Sequence, residues 1–380
     1  MDRSLYHRWL EINLDNLADN FQRLKRLLSP PTKILVCVKK DAYGHGIVPV
    51  AKRLIKEGVD YLGVANVEEA LKLRESKIRI PVLILGMILK QDIDYVIRED
   101  LTPTVSHLTV ARLLNKKATA LGKRIKVHIK VDTGMGRLGV LYRDTFDFIL
   151  RIRKLKCLEI EGIFTHFPLA EADTSFTSQQ IKLFKELKER LFKRGIYIPL
   201  YHTANSMALV GYRESHFNMV RPGLMVYGLY PKKGLELKLK PVMALKARVV
   251  FIKKLPKGFG ISYGHTYRTK RDTNIVVIPV GYGDGYFRCL SNKAEVLIQG
   301  RRFRISGTIC MDQMMVDVKD LKVKMGEEVV LLGRQKKELI TAEELAGLSG
   351  TIPYEITTSL GFHLPRFYIT DKKYYSLQIR

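Results

Sequence analysis

The sequence predicts an α/β protein: an N-terminal (β/α)8 TIM-like barrel followed by a C-terminal, mainly-β domain. Three observations carry this prediction. Short apolar runs alternate with amphipathic stretches over the first two-thirds of the chain, the pattern of repeated βα units and parallel strands. About eight such units in roughly 230 residues suit a barrel better than an open doubly wound sheet. No G-x-G-x-x-G follows an early strand, which counts against a dinucleotide-binding fold.

In order along the chain, strands are predicted over Lys33–Val38, Asp60–Val64, Pro81–Leu85, Thr102–Val105, Ile125–Val131, Leu158–Phe164, Ile198–His202 and Phe217–Val220. Helices are predicted between them, over Val48–Glu57, Val67–Glu75, Leu108–Leu121 and Ser178–Arg194. After Gly228 the texture changes. Pro231–Lys240 reads as a linker. Strands over Ala247–Lys253, Thr273–Pro279, Ala294–Ile298, Phe303–Gly307, Met314–Val318 and Glu328–Leu332 come next, with no helix predicted among them. The alternation Trp9-Leu10-Glu11-Ile12 reads as a strand that packs with this β domain. The expected division is therefore 1–10 with the β domain, 11–235 as barrel and 236–380 as β domain.

The composition narrows the function classes. A chain of 380 residues, 46% of them apolar, has material for a large core. No apolar run approaches the ~18–20 residues of a membrane helix. The N-terminus has no apolar signal core, so a cytoplasmic location is expected. The cysteines at 37, 157, 289 and 310 form no CxxC pair, so neither a zinc site nor a disulfide scaffold is expected. The net charge of +27 is spread over the chain and mixed with acids, and no nucleic-acid-binding signature accompanies it. It reads as a solvated basic surface that also steers small anions inward.

A barrel builds its active site at the C-terminal ends of its strands. After the first strand stand Lys39, Lys40 and Tyr43-Gly44-His45-Gly46. The fifth gives Lys130, Asp132 and the turn Thr133–Arg137; the sixth gives His166. The seventh gives His202, Asn205 and Ser206, and the eighth gives Arg221 and Gly223. Singly, each has a plain reading: a solvated lysine, a hydrogen-bonded core histidine, an ordinary turn glycine. Together they are complementary. They offer an amine able to condense with an aldehyde, glycines that expose N–H groups to an anion, and arginines for a carboxylate. Strand parity does not separate Lys39 from Lys40, because both faces of this strand are apolar.

The motifs VKKDAYGHG, KVDTGMGRLG, THF, ANS, RPGLMVYG, SYGHTY, GYGDGY, GTICMDQMMVD and PYEITTSLGFHLPRFY, in this order, resemble those of the bacterial alanine racemases. The resemblance covers nearly the whole chain. It implies a pyridoxal 5'-phosphate (PLP) enzyme that interconverts L- and D-alanine and supplies D-alanine for peptidoglycan. It selects Lys39 as the PLP lysine and as a base on one face of the substrate. It places Tyr263, from the partner subunit of a homodimer with shared active sites, on the other face. It implies a hydrogen-bonded series Tyr263–His166–Arg221, with Arg221 at the pyridine nitrogen where many PLP enzymes have a carboxylate. Phosphate contacts fall to Tyr43, Ser206, Gly223, Leu224 and Tyr354. Arg137 and Met311 fall to the substrate carboxylate, Tyr282 and Asp312 to the entrance, and Lys130 to a position the family often carbamylates. Lys40, Gly283 and Phe287 depart from the usual pattern. Competing readings are a racemase of other or broad specificity, a PLP decarboxylase, a PLP carrier and a nucleic-acid-binding protein. Arg221 argues against the decarboxylase, and the β domain with Tyr263 and Met311 argues against the carrier.

Overall fold

The computed structural model describes residues 3–232, 234–362, 364–371 and 373–376. Its first strand, β1 (Arg8–Asn13), stands outside the barrel. The barrel strands follow as β2 (Lys33–Cys37), β3 (Tyr61–Val64), β4 (Val82–Met87), β5 (Thr102–Val105) and β6 (Ile125–Asp132). Then come β7 (Val140–Leu141), β8 (Leu158–Phe164), β9 (Leu200–His202) and β10 (Met219–Val220). β7 is a two-residue appendage of β6; the other eight strands are parallel and close through the β5–β6 and β10–β2 pairings. The predicted closed barrel is what forms.

The outer helices obey their sequence pattern. Ile47–Lys56 buries Ile47, Val50, Ala51 and Leu54, the i, i+3, i+4, i+7 stripe of a helix with one face on a sheet. Val67–Glu75 starts at Asn66, whose side chain accepts from Glu69 N–H, and Thr174–Lys193 starts at Asp173 in the same way.

The C-terminal part is mainly β. It contains β11 (Met243–Arg248), β12 (Phe251–Leu255), β13 (Gly260–Ile261), β14 (Tyr267–Arg268), β15 (Thr273–Ile278) and β16 (Glu295–Ile298). It continues with β17 (Arg301–Arg304), β18 (Met314–Lys319), β19 (Glu328–Gln335), β20 (Glu338–Ile340), β21 (Arg366–Thr370) and β22 (Lys373–Ser376). The main sheet runs β17-β16-β19-β11-β1-β21-β22, so β1 lies near its middle, antiparallel to β11 and parallel to β21. β1 extends to Asn13, past the expected division at residue 10.

Two helices, Ala342–Ser349 and Pro353–Leu360, interrupt the strands where none was predicted. Their starts have clear causes. Thr341 caps the first by accepting from Glu344 N–H, and Pro353 opens the second where its missing N–H costs nothing. The second of these helices brings Tyr354 to the mouth of the barrel.

Candidate active site

β2 ends at Cys37, and the chain then winds the unfavoured way. Lys40, Asp41, Ala42 and Tyr43 have φ between 52° and 55°, a left-handed turn with no glycine inside it. Such a conformation costs roughly 1–2 kcal/mol per residue. Its surroundings hold it. Asp41 accepts from Ile47 N–H at 2.7 Å and pairs with Arg366 at 2.7 Å, tying the turn to β21. His45 Nδ1–H lies 2.9 Å from Ala42 O and 3.0 Å from Tyr43 O. Gly44 exits with φ +86°, and a Cβ there would fall 2.2 Å from the Thr357 carbonyl oxygen. The turn separates the two lysines that strand parity could not. Lys39 lines the cleft at the barrel mouth. Lys40 is exposed, its N–H bound to Glu69 Oε1 at 2.6 Å.

This cleft holds about 610 Å³. Lys39, Lys130, Arg137 and Arg221 line it, and among its described lining residues there is no carboxylate. Arg137 is exposed and has no ion-pair partner among the described residues. Its loop is shaped by Asp132, whose carboxylate accepts from the N–H groups of Gly134, Met135 and Gly136 at 2.8–3.2 Å. Burial would raise the Asp132 pKa, but these backbone donors outweigh it and hold the carboxyl below its usual range. His166 is pushed well down by burial and then by the surrounding cations, so it is neutral at pH 7.

Lys130 is only 4% exposed. Burial first, then the Arg137, Arg221 and Lys39 cations, moves its pKa from 10.5 to about 8. The folded pKa is depressed for a base, so below pH 8 both folded and unfolded chains carry the proton and the folded state bears the full cost. Stability then rises with pH between about 8 and 10.5, where only the unfolded chain stays protonated. Lys130→Met in cofactor-free, CO2-free buffer is expected to raise the unfolding free energy by up to about 3 kcal/mol at pH 7. Urea titrations at pH 7 and pH 10.5 check this; a gain of the same size at both would remove the charge from the explanation.

Opposite the cations lies a corner of hydroxyls and amides. Ser206 Oγ accepts from Gly223 N–H at 2.9 Å. Tyr43 packs between Tyr227 and Tyr354, with ring centroids 5.0 and 5.6 Å away. A Cβ on Gly223 would sit 2.8 Å from the Tyr43 hydroxyl, so only glycine lets the backbone come this close. The Tyr43 and Tyr354 hydroxyls have no hydrogen-bond partner among the described residues. Both are raised, by burial first, and stay protonated donors. Leu224 follows Gly223 at the start of a 3-10 turn on the same wall.

Arg221 departs from expectation. No hydrogen bond joins it to His166. Its Nη1 donates to His202 O at 2.7 Å and faces His202 Nδ1 at 3.1 Å. Its Nη2 donates to Thr165 O at 2.6 Å and Thr203 O at 3.1 Å. Those four contacts use both terminal NH2 groups and leave Nε–H as its one donor without a partner among the described residues. Burial lowers its pKa to about 10, so it remains a cation.

Tyr263, Tyr282, Met311 and Asp312 do not line this cleft in their own chain. They share one exposed ledge of the β domain, where Tyr263 is 71% and Met311 62% exposed. Gly283 N–H donates to Met311 O at 2.7 Å and Thr308 Oγ1 to Tyr263 O at 2.9 Å, which fixes the ledge. Ser262, before Tyr263, has φ 60° and ψ −173°, a region other residues leave to glycine at a cost of order 1–3 kcal/mol.

Sequence reasoning missed part of the interior. His128 and Glu161, together with His202, form a buried polar column behind Arg221. The signal was present: Lys126, His128 and Lys130 alternate through an otherwise apolar strand and share its inner face. Among the described residues no cluster suits a metal ion, and no helix is long and apolar enough to cross a membrane.

Two family models match the chain: the N-terminal domain of alanine racemase over residues 12–231 and the C-terminal domain of alanine racemase over 242–368. An alanine racemase of Carboxydothermus hydrogenoformans is 45% identical over 366 residues, 95% of this chain and 99% of that protein. One of Thermodesulfovibrio yellowstonii is 46% identical over 367 residues, 96% of this chain and 98% of that protein. The solved alanine racemase of Clostridium difficile 630 superposes with a TM-score of 0.92 at 39% identity, covering 97% of each chain.

Proposed function

This chain belongs to the alanine racemase family and racemises alanine; from that premise we propose that PLP is its cofactor, held in the cleft between the barrel and helix Pro353–Leu360. The observation that carries this is the wall chemistry: four cations, no carboxylate and a corner of hydroxyl and amide donors. That donor set fits the group. Tyr43, Ser206 and Tyr354, with the amides of Gly223 and Leu224, would take the phosphate. Lys39 would hold the aldehyde carbon, and Arg221 Nε–H would face the ring nitrogen. When bound, PLP supplies a sink for the electron pair left by removal of the substrate's α-proton.

The chain's own residues do the rest. Arg137 holds the substrate carboxylate through a charge-assisted pair. Lys39 Nζ moves the α-proton on one face. The Tyr263 hydroxyl of a second copy serves the other face, with the Met311 N–H of that copy at the carboxylate and its Tyr282 and Asp312 at the entrance. Tyr354 and Tyr263 together narrow the mouth toward a methyl side chain. The working unit is a cytoplasmic homodimer that acts on free alanine, binds no nucleic acid and supplies D-alanine for peptidoglycan. The test is a chiral assay of the PLP-loaded protein with L-alanine and a panel of other L-amino acids. Exchange confined to another amino acid would move the substrate, and none at all would sink the two-base reading.

Lys130 is a candidate for carbamylation, supported by a pKa near 8 that leaves neutral amine available to CO2. With bicarbonate added, the stability gap between wild type and Lys130→Met at pH 7 should close; an unchanged gap argues for a free amine. Arg221 donates a hydrogen bond but surrenders no proton, which weakens the electron sink and limits transamination. Arg221→Glu should raise the ratio of pyruvate to D-alanine formed from L-alanine by about tenfold; an unchanged ratio would refute this role.

A further inference from the structure

TIM barrels ordinarily fill their interiors with layers of branched apolar side chains. Here a line of polar residues runs through the barrel behind Arg221. Arg221 Nη1 faces His202 Nδ1 at 3.1 Å. His202 Nε2 lies 2.8 Å from His128 Nδ1, and His128 Nε2 lies 3.2 Å from Glu161 Oε2. Glu161 Oε1 accepts from Tyr61 OH at 3.2 Å and pairs with Lys126 Nζ at 2.8 Å. Both histidines are fully buried, while the Lys126 side chain is 57% exposed near the amino-terminal end of β6.

Donor counting fixes the direction of this line. Arginine has no acceptor, so His202 Nδ1 offers a lone pair and its proton sits on Nε2. That proton goes to His128 Nδ1, so His128 is protonated on Nε2 as well. Its N–H in turn donates to the Glu161 carboxylate. Every link points from Arg221 toward Glu161. Protonating or flipping either ring would set two donors against each other.

The packing is built for these rings. His202 stacks on Phe164 with centroids 4.8 Å apart and planes within 6°. Gly162 stands opposite His128 in the β6–β8 register, and a Cβ there would fall 2.5 Å from the His128 ring. The charges agree. Burial, then the Arg221 cation, lowers both histidines toward neutrality, with Arg221 acting more weakly on His128 than Glu161 does. Burial would raise Glu161, but hydrogen bonds from His128 and Lys126 hold it at about 2.

We propose that His202, His128 and Glu161 form a one-way hydrogen-bond relay that aims Arg221 into the cleft and fixes its one free donor, Nε–H, which makes these three positioning residues for racemisation. The anionic end polarises the chain and makes His202 Nδ1 a stronger acceptor for the arginine. The catalytic consequence rests on the racemase reading above; the direction of the relay does not.

The test begins with cofactor-free protein labelled with 15N at its nine histidines. Long-range 15N–1H correlation spectra from pH 6 to 9, assigned with His128→Gln and His202→Gln, should show both rings as neutral Nε2–H tautomers. An Nδ1–H or doubly protonated ring at either position would overturn the relay. In the PLP-loaded enzyme, Glu161→Gln should lower kcat about tenfold or more with KM for alanine within about twofold, whereas Lys126→Met should leave both within about twofold. A folded Glu161→Gln variant with unchanged kcat would overturn the positioning role. Should that variant fail to fold, the wild-type spectrum still decides the direction. Expected tautomers in a wild type without racemase activity would uphold the relay and reject the reading of the reaction.

Discussion

Lys39→Ala is expected to lower racemisation by at least about a thousandfold while leaving the fold intact. On the proposed mechanism one side chain serves two steps there, as the attachment point for the cofactor and as the base on one face. A positioned acid–base group alone contributes roughly 10²–10⁴ in rate. The structural cost should be small, because Lys39 lines the cleft and makes no side-chain hydrogen bond or ion pair among the described residues. Lys40→Asn is the control, since asparagine tolerates the left-handed conformation. Its activity should stay within about twofold of wild type. Circular dichroism and the chiral assay check both variants. Loss in Lys40→Asn with retention in Lys39→Ala would reverse the assignment.

Tyr263→Phe should cost about 10²–10⁴ in rate by the same reasoning. Its more informative use is in combination. Tyr263 is 71% exposed and lines no part of its own chain's cleft. If a second copy presents it, a heterodimer of Lys39→Ala with Tyr263→Phe contains one doubly defective site and one intact site. Co-expression with two affinity tags and purification through both isolates that species. It should regain about half of the wild-type activity per dimer, although both parent homodimers are nearly inactive. If both groups came from one chain, every site would carry a defect and nothing would return.

The barrel was legible because each βα unit repeats a simple alternation and parallel strands buried on both faces read as apolar runs. The left-handed turn was not. Lys40-Asp41-Ala42-Tyr43 contains no glycine, and it is held by Arg366 and the Thr357 region, more than three hundred residues away. No local pattern reports such support, which is why strand parity left Lys39 and Lys40 unseparated and only the family resemblance chose between them. The helix Ala342–Ser349 is a different kind of miss, since the Thr341-x-x-Glu344 capping signature was in plain view within a stretch read as β. His128 and Glu161 escape a search confined to strand ends, because both lie inside their strands and only the face they share marks them. The direction of their relay needs distances and donor counts, and no sequence pattern carries those.

The place of β1 in the main sheet governs how this protein is made. β1 leaves the ribosome before the barrel, but its neighbours β11 and β21 emerge only after the entire barrel has been translated. The barrel is free to close during synthesis, while the sheet stays incomplete until its last strands emerge and take up the first. Contacts of such sequence separation form slowly, and until then β11 and β21 present open edges able to capture strands of other nascent chains. A fragment begun at residue 236 would carry that defect permanently, because its sheet lacks a strand from the middle. Topologically, the barrel is an insert within the β domain, so neither part is a bead that a single cut would release.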